Sequence, residues 1–308
     1  FTYFYNALAA ALKSVGDSRT PVRFLIFASL LNAALDLVFI GLLGFGIVCS
    51  AVTTVVAEGV SAALTWYHIR KAVPMLSPDK KTFRIDRRLL KTTLRYGSVT
   101  ALQQACQPVG KLLIQGAVNP LGVDVIAAFQ AVNRVDDFAF TPEQSISHGI
   151  TTFTAQNLGS RQDEERKRER VGAGLRTGLL LEFLYWIFIF LLVYLGRVPV
   201  MKAFVTGQGS TGVVEAGSRY LGTMAFFYLL PAFTNGLQGF FRGRGKMGIT
   251  LAGTFIQTSL RVVVTYLTAP VLGIYGVTIA CAVGWTAMLL FEVPCLFFFR
   301  DRTVKQKK

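Results

Sequence analysis

The most chemically suggestive residue in this chain is an acid in an apolar run. Asp36 closes the stretch Leu31-Asn32-Ala33-Ala34-Leu35-Asp36, inside an apolar segment over 23–43. A charged Asp at the centre of a membrane helix costs about 2.5–3.5 kcal/mol on insertion scales, so such a residue persists where it is paired or used. Asn32 and Asp36 are four residues apart and share a helical face. A carboxylate beside an amide carbonyl offers hard oxygen ligands to a cation such as sodium, and equally a site for a proton. Thr53 and Thr54 lie in the next apolar segment, where a hydroxyl can add an oxygen across the hairpin. The competing reading is that Asn32 satisfies Asp36 as interhelical glue.

Further along stand Arg134, Asp136 and Asp137, then Pro142 and Glu143. Arg134 and Asp137 are spaced to pair on one face, either as a self-compensating pair or as part of a substrate or proton path. Gln103 and Gln107 share a face and can hydrogen-bond a ligand in a central cavity, or simply bond between helices. With Arg134, Asp136 and Asp137 they form the candidate set for a substrate cavity. Glu58, Glu182 and Glu292 are further acids in apolar runs without a partner nearby in sequence. Cys49, Cys106, Cys281 and Cys295 have no zinc or redox spacing, and His68 and His148 stand apart. No nucleophile triad, phosphate loop or metal cluster appears, so the expectation is a protein that is not an enzyme, with no catalytic residue and no cofactor.

The elements that must position these groups are long and apolar. Hydrophobic residues make up 52% of the 308 and charged residues only 16%, against about 25% charged in soluble domains. Nine candidate spans follow, over 1–12, 23–43, 46–69, 94–117, 124–156, 173–196, 217–240, 247–268 and 274–299. Their length and lack of alternation predict helix, since about 20 apolar residues cross roughly 30 Å of hydrocarbon. Pro108, Pro142 and Pro231 lie inside spans and predict bends.

The net charge of +15 is unevenly placed. If the loop at 14–22 is cytoplasmic and sides alternate, the bases gather inside. Nine Lys and Arg fall between Arg70 and Arg95, six between Arg161 and Arg176, and five from Arg300 to Lys308, while only Arg197, Lys202 and Arg219 fall outside. This positive-inside bias predicts a multi-pass membrane protein with a cytoplasmic carboxy terminus; the expected location is the plasma membrane. It also accounts for the basic charge through anionic membrane lipid rather than nucleic acid.

The chain repeats itself at a constant offset. Phe4, Asn6, Leu8, Gly16, Leu31 and Gly44 match Phe233, Asn235, Leu237, Gly245, Leu260 and Gly273. The copies start six spans apart and therefore cross in the same direction, as parallel six-helix units do. The predicted organisation is the last three helices of a first lobe over 1–72, a cytoplasmic linker over 73–90, a six-helix second lobe over 91–300 and a basic tail over 301–308. Units of equal length imply about 140 residues, three helices and part of a fourth, ahead of Phe1.

The stretches Lys13-Ser14-Val15-Gly16-Asp17-Ser18-Arg19-Thr20-Pro21, Leu31-Asn32-Ala33-Ala34-Leu35-Asp36, Val118-Asn119-Pro120-Leu121-Gly122, Ala155-Gln156-Asn157-Leu158-Gly159 and Arg242-Gly243-Arg244-Gly245-Lys246 together resemble the multidrug and toxic compound extrusion (MATE) family. The resemblance implies an all-α membrane protein, a two-lobe bundle with about nine of twelve transmembrane helices present. It implies an antiporter that exchanges a proton or a sodium ion for a small organic, often cationic, compound. It places Asn32, Asp36 and Thr54 at the family's cation-site positions, with a further Asp expected upstream of Phe1. Lipid-linked precursor flippases share the architecture and are the rival reading, for which basic groups at Lys111, Arg134 and Arg261 speak. A membrane-embedded enzyme is the weaker rival.

Overall fold

A computed structural model of the chain describes residues 1–77, 86–204 and 210–305. The described residues form ten α-helices joined by short turns, and no strand occurs among them. The helices are α1 (Thr2–Ser14), α2 (Arg19–Asp36), α3 (Ile47–Ala72), α4 (Arg87–Val118), α5 (Val123–Leu158), α6 (Glu164–Phe204), α7 (Ser210–Phe227), α8 (Leu229–Gly243), α9 (Met247–Leu272) and α10 (Ile274–Lys305). Each expected span coincides with a helix, except the seventh, which is divided into α7 and α8 at Tyr228. Pro231 explains the position of the break. It has no N–H to bond the carbonyl of Phe227, one turn earlier. Pro108 and Pro142 lie within α4 and α5, which are assigned as continuous helix.

The chain divides into two compact units between Asp86 and Arg87. The expected linker at 73–90 falls here, with 78–85 outside the described residues and α4 already begun at Arg87. The last three residues of the basic tail also lie outside them.

In the first unit α2 and α1 both pack on α3. Tyr5, Ala9 and Ala62 form its small core, and the Tyr5 hydroxyl donates to the Pro21 carbonyl at 2.8 Å. Helix α2 continues as a π-helical turn over Leu37–Leu42. Asp17 precedes α2, and its Oδ1 accepts the Thr20 N–H at 3.1 Å. That occupies an otherwise unpaired first-turn donor, and the hydrogen bonds from Thr20 hold the Asp17 carboxyl below its ordinary range. Only 6% of the most apolar window of α2 is buried within the protein. Leu25, Ile26, Phe27 and Leu30 face outward instead, the inverse of a soluble helix and the pattern that hydrocarbon favours. Among the described residues, five helical segments are long and apolar enough to cross a membrane: Arg19–Leu42, Ile47–Ala72, Glu164–Ala203, Met247–Leu272 and Ile274–Phe298.

The second unit builds α6, α7 and α8 around α5, sets α4 against α9 and α9 against α10, and closes on itself where α10 meets α7 and α8. Its apolar core is layered. One cluster holds Phe129, Val132, Tyr220, Met224, Val277 and Trp285. A second holds Ile150, Val171, Leu175, Leu237, Phe240 and Phe241. Along α5, α6, α8 and α9, buried polar residues fall between the two: Glu143 and Ser147, Glu182, Thr234, and Thr254 and Gln257; Gln238 and Glu292 lie at the edge of the second. The result is a polar waist between apolar layers. Contact between α5 and α8 at the waist depends on missing side chains. A Cβ on Gly239 would lie 2.5 Å from the Ser147 carbonyl oxygen, and one on Gly243 would lie 2.7 Å from that of Thr151. This close approach lets Ser147 Oγ donate to the Asn235 carbonyl at 2.5 Å and Thr151 Oγ1 to that of Gly239 at 3.0 Å.

The repeat extends to backbone geometry. Gly16 and Gly245, and Gly44 and Gly273, all have positive φ. At α1's end the Gly16 N–H bonds to the Lys13 carbonyl and the Asp17 N–H to that of Leu12. At α8's end Gly245 bonds to Arg242 and Lys246 to Phe241 in the same pattern. This is a Schellman cap with glycine in the left-handed position, which that residue alone adopts without strain. The run Arg242-Gly243-Arg244-Gly245-Lys246 is thus a helix–helix turn.

Candidate functional site

Two polar constellations are built from these elements, one in each unit. In the first, α2 carries Asn32 and Asp36, and α3 meets them with Thr53 and Thr54. Thr53 Oγ1 is in short hydrogen-bonding contact with Asp36 Oδ1. Asn32 Nδ2 donates to Thr53 Oγ1 at 3.5 Å and to Thr54 Oγ1 at 3.4 Å. Asn32 and Asp36 thus both meet Thr53 and do not bond to each other, and the hydroxyl on the carboxyl is that of Thr53, 4% exposed, rather than Thr54. The two threonines are adjacent and differ by about 100° around α3, a distinction that only the facing helix can make.

Hydrogen accounting gives this group two states. Thr53 Oγ1 also lies 2.9 Å from the Ser50 carbonyl, yet a hydroxyl has a single proton to donate. With Asp36 ionised, Thr53 donates to the carboxylate. With Asp36 protonated, the carboxyl donates to Thr53, which is then free to donate to Ser50. Thr54 donates to the same carbonyl at 2.8 Å, so Ser50 keeps a partner in either state. The carboxylate and hydroxyl oxygens suit a proton or an alkali cation, whereas Asn32 presents its amide nitrogen, not the expected carbonyl, to the threonines. Among the described residues no group of three or more His, Cys, Asp or Glu is placed to hold a metal ion.

The second constellation is a cavity of about 440 Å³ in the second unit, within the range of small-molecule sites. Gln103, Gln107, Asp136 and Asp137 line it, as do Lys111, Gln144, Asn235, Arg242, Gln257 and Arg261. Gln103 is buried and structural. Its Nε2 donates to Gln238 Oε1 and Thr254 Oγ1, both at 3.0 Å, and its Oε1 accepts from Thr250 at 3.2 Å. Gln107 is exposed toward the cavity. Asp136 is 4% exposed and accepts the Tyr228 hydroxyl at 2.5 Å.

Arg134 departs from expectation. It is exposed, lies outside the cavity lining and forms no ion pair among the described residues. Asp137 pairs instead with Lys111 of α4, at 3.1 Å. The cavity-facing side of α5 carries Asn133, Asp136, Asp137 and Phe140. Arg134 sits on its flank, and a charge across the helix interface lies closer to Asp137 than the neighbour on its own helix.

Three groups named in the sequence stand outside the candidate sets drawn from it. Arg242 belongs to the cavity as well as to the turn, and its Nη2 donates to Ser147 Oγ at 2.8 Å. Glu143 is fully buried, with Oε2 accepting from Asn235 Nδ2 at 3.2 Å and Oε1 unpartnered. Glu182, also fully buried, has neither oxygen partnered. Both acids border adjacent positions of α8, since Glu182 Cγ would lie 3.8 Å from a Cβ on Gly236. A larger cavity, about 660 Å³, lies among the charged start of α6 and the ends of α8 and α10, but it lacks the convergent polar groups of the waist.

Comparison with known proteins agrees with this architecture. The probable multidrug resistance protein YpnP of Bacillus subtilis is 26% identical over 249 residues, 80% of this chain and 53% of that protein. The probable multidrug resistance protein NorM of Thermotoga maritima is 25% identical over 314 residues, 97% of this chain and 63% of that protein. The chain thus spans roughly half to two thirds of the length of these curated relatives. A MOP superfamily transporter from Pyrococcus furiosus, whose binding pocket is described as having reverse polarity, superposes with a TM-score of 0.86 at 21% identity, covering 99% of this chain and 67% of that one. A MATE transporter in complex with MaL6 gives 0.85 at 22% identity, with the same coverage. The MatE family model matches residues 100–267, more than half of this all-helical, membrane-embedded chain, which belongs to the MatE family.

Proposed function

We propose that the chain serves a secondary antiporter that exports small organic compounds in exchange for protons or sodium ions by alternating access. The observation that carries the reading is the contact of Asp36 with Thr53 across α2 and α3, with Asn32 on the same face. An acid within a span of high hydropathy, joined to a hydroxyl that can change donor for acceptor, takes up and releases a positive charge with little movement of its neighbours. Thr54 supports the group through Asn32. In the second unit, the cavity lined by Gln107, Asp136 and Asp137 offers the chamber for the organic substrate.

Coupling is reciprocal by thermodynamic necessity: the ion must weaken substrate binding as much as substrate weakens the ion's. Asp36→Asn, reconstituted in proteoliposomes, should lose ion-driven efflux by at least about tenfold while inserting normally; undiminished efflux would remove Asp36 from the mechanism. Imposing a proton gradient and a sodium gradient separately identifies the ion. The lipid-linked precursor flippase is a second reading, favoured by Lys111, Arg242 and Arg261 in the cavity wall. The relatives' names as multidrug resistance proteins support the first. A plasma-membrane location belongs to the same reading, and the placement of Lys and Arg supports a cytoplasmic carboxy terminus.

A further inference from the structure

The polar cavity of the second unit contains an electrostatic imbalance. Its lining carries three bases, Lys111, Arg242 and Arg261, against two acids: Asp137 pairs with Lys111 at 3.1 Å, and Asp136 accepts the Tyr228 hydroxyl while its charge acts on Arg261. Its two guanidinium groups feel Asp136 (on Arg261) and Glu292 (on Arg242) only from beyond contact. Arg261 is 9% exposed, and Arg242 is half-buried beside Ser147. Neither has a carboxylate oxygen within 4.0 Å among the described residues, and the Nε of each is buried without a hydrogen-bond partner.

Removing a cation from water costs several kcal/mol unless a counter-charge and full hydrogen bonding offset it. A cavity wall with one base more than acids, and with the Nε of both guanidinium groups unpartnered, is therefore poorly suited to a cationic guest and suited to an anionic one. The guanidinium fork matches the oxygens of a carboxylate, sulfonate or phosphate, and does so with directed pairs of N–H donors. Around it, the exposed Gln107 supplies amide hydrogen bonds, while Phe140 and Trp285, with ring centroids 6.0 Å apart, supply an aromatic wall.

We infer that this cavity takes organic anions, with Arg261 and Arg242 receiving the anionic group and Phe140 and Trp285 the apolar body. The inference rests on the proposed reading of the cavity as the substrate chamber. It reverses the charge that resemblance alone would assign to the substrate.

The test uses two dyes of similar xanthene shape and opposite charge, carboxyfluorescein and tetramethylrhodamine methyl ester. Binding to the purified chain in nanodiscs is read by fluorescence anisotropy. The wild type should bind carboxyfluorescein at least about tenfold more tightly than the rhodamine ester. Arg261→Gln and Arg242→Gln should each weaken carboxyfluorescein by about tenfold, with the rhodamine ester unchanged or tighter. Arg261→Lys, which keeps the charge and loses the fork, should fall between. Equal or tighter binding of the rhodamine ester by the wild type overturns the inference, and this comparison needs no variant to fold. Carboxyfluorescein affinity unmoved in well-folded Arg242→Gln and Arg261→Gln overturns it as well. Ion-driven transport in proteoliposomes separates the two readings. Anion binding without transport keeps the cavity assignment and removes the antiporter, whereas transport of the rhodamine ester without anion binding does the reverse.

Discussion

At the scale of single residues, the hydroxyl of Thr53 distinguishes a glued helix pair from one that handles charge. It touches Asp36, accepts from Asn32 and reaches the Ser50 carbonyl, so its one proton reports the state of the acid. Thr53→Val removes that link and leaves Asp36 without a hydroxyl partner, at a cost of about 1–3 kcal/mol. Ion-driven efflux should fall about tenfold, whereas Thr54→Val, which touches only Asn32 and Ser50, should cost less than about threefold. Proteoliposome efflux measured for both variants checks the order, and equal losses would count against the assignment of Thr53. That Asn32 and Asp36 share a face was legible from their i, i+4 spacing; that each meets Thr53, with no hydrogen bond between the two, was not. The choice between Thr53 and Thr54 was not, since periodicity describes one helix and never the one it meets. The same limit hid the Lys111–Asp137 pair, which joins α4 to α5, and concealed Arg242 within a turn motif whose glycines dominated its appearance.

At the scale of elements, the α5–α8 seam depends on glycine. The Cβ of Gly239→Ala would meet the Ser147 carbonyl oxygen at 2.5 Å, and backbone cannot yield as a side-chain tip can. The helices must separate, losing the Ser147 and Thr151 hydrogen bonds to α8, at roughly 1–3 kcal/mol. Thermal unfolding in detergent should show a lowered midpoint, with Gly248→Ala as the comparison, because a Cβ there meets nothing within 4 Å. An unchanged midpoint for Gly239→Ala would mean that the seam contributes little. The helices themselves were legible from long apolar runs, down to the break that Pro231 causes. The seam was not, because its glycines resemble those of a turn until α5 is placed beside them. Nor was the isolation of Glu182: an acid in an apolar run signals importance, but not whether a partner awaits it on another helix.

At the scale of the whole molecule, duplication is the organising fact. The matching glycine conformations at Gly16 and Gly245, and at Gly44 and Gly273, arise because a common backbone path outlasts most side-chain identities. The two copies have since diverged in chemistry: the first holds an acid at Asp36, whereas Arg261 stands one position beyond Leu260, the repeat mate of Leu31. The placement of Lys and Arg makes a prediction for the entire chain. A cysteine introduced at Ser160 should react with a membrane-impermeant thiol reagent only from the cytoplasmic side, and one at Thr211 only from the other. The reverse pattern would overturn the orientation.

The break at Tyr228 has a mechanical consequence. Ser147 and Thr151 rivet α8 to α5, so these two helices travel as one body. Pro231 leaves the Phe227 carbonyl without its usual donor, which makes the joint above that body the cheapest place to flex. On the proposed reading, alternate opening to two sides would bend the chain at this joint and leave the α5–α8 seam intact.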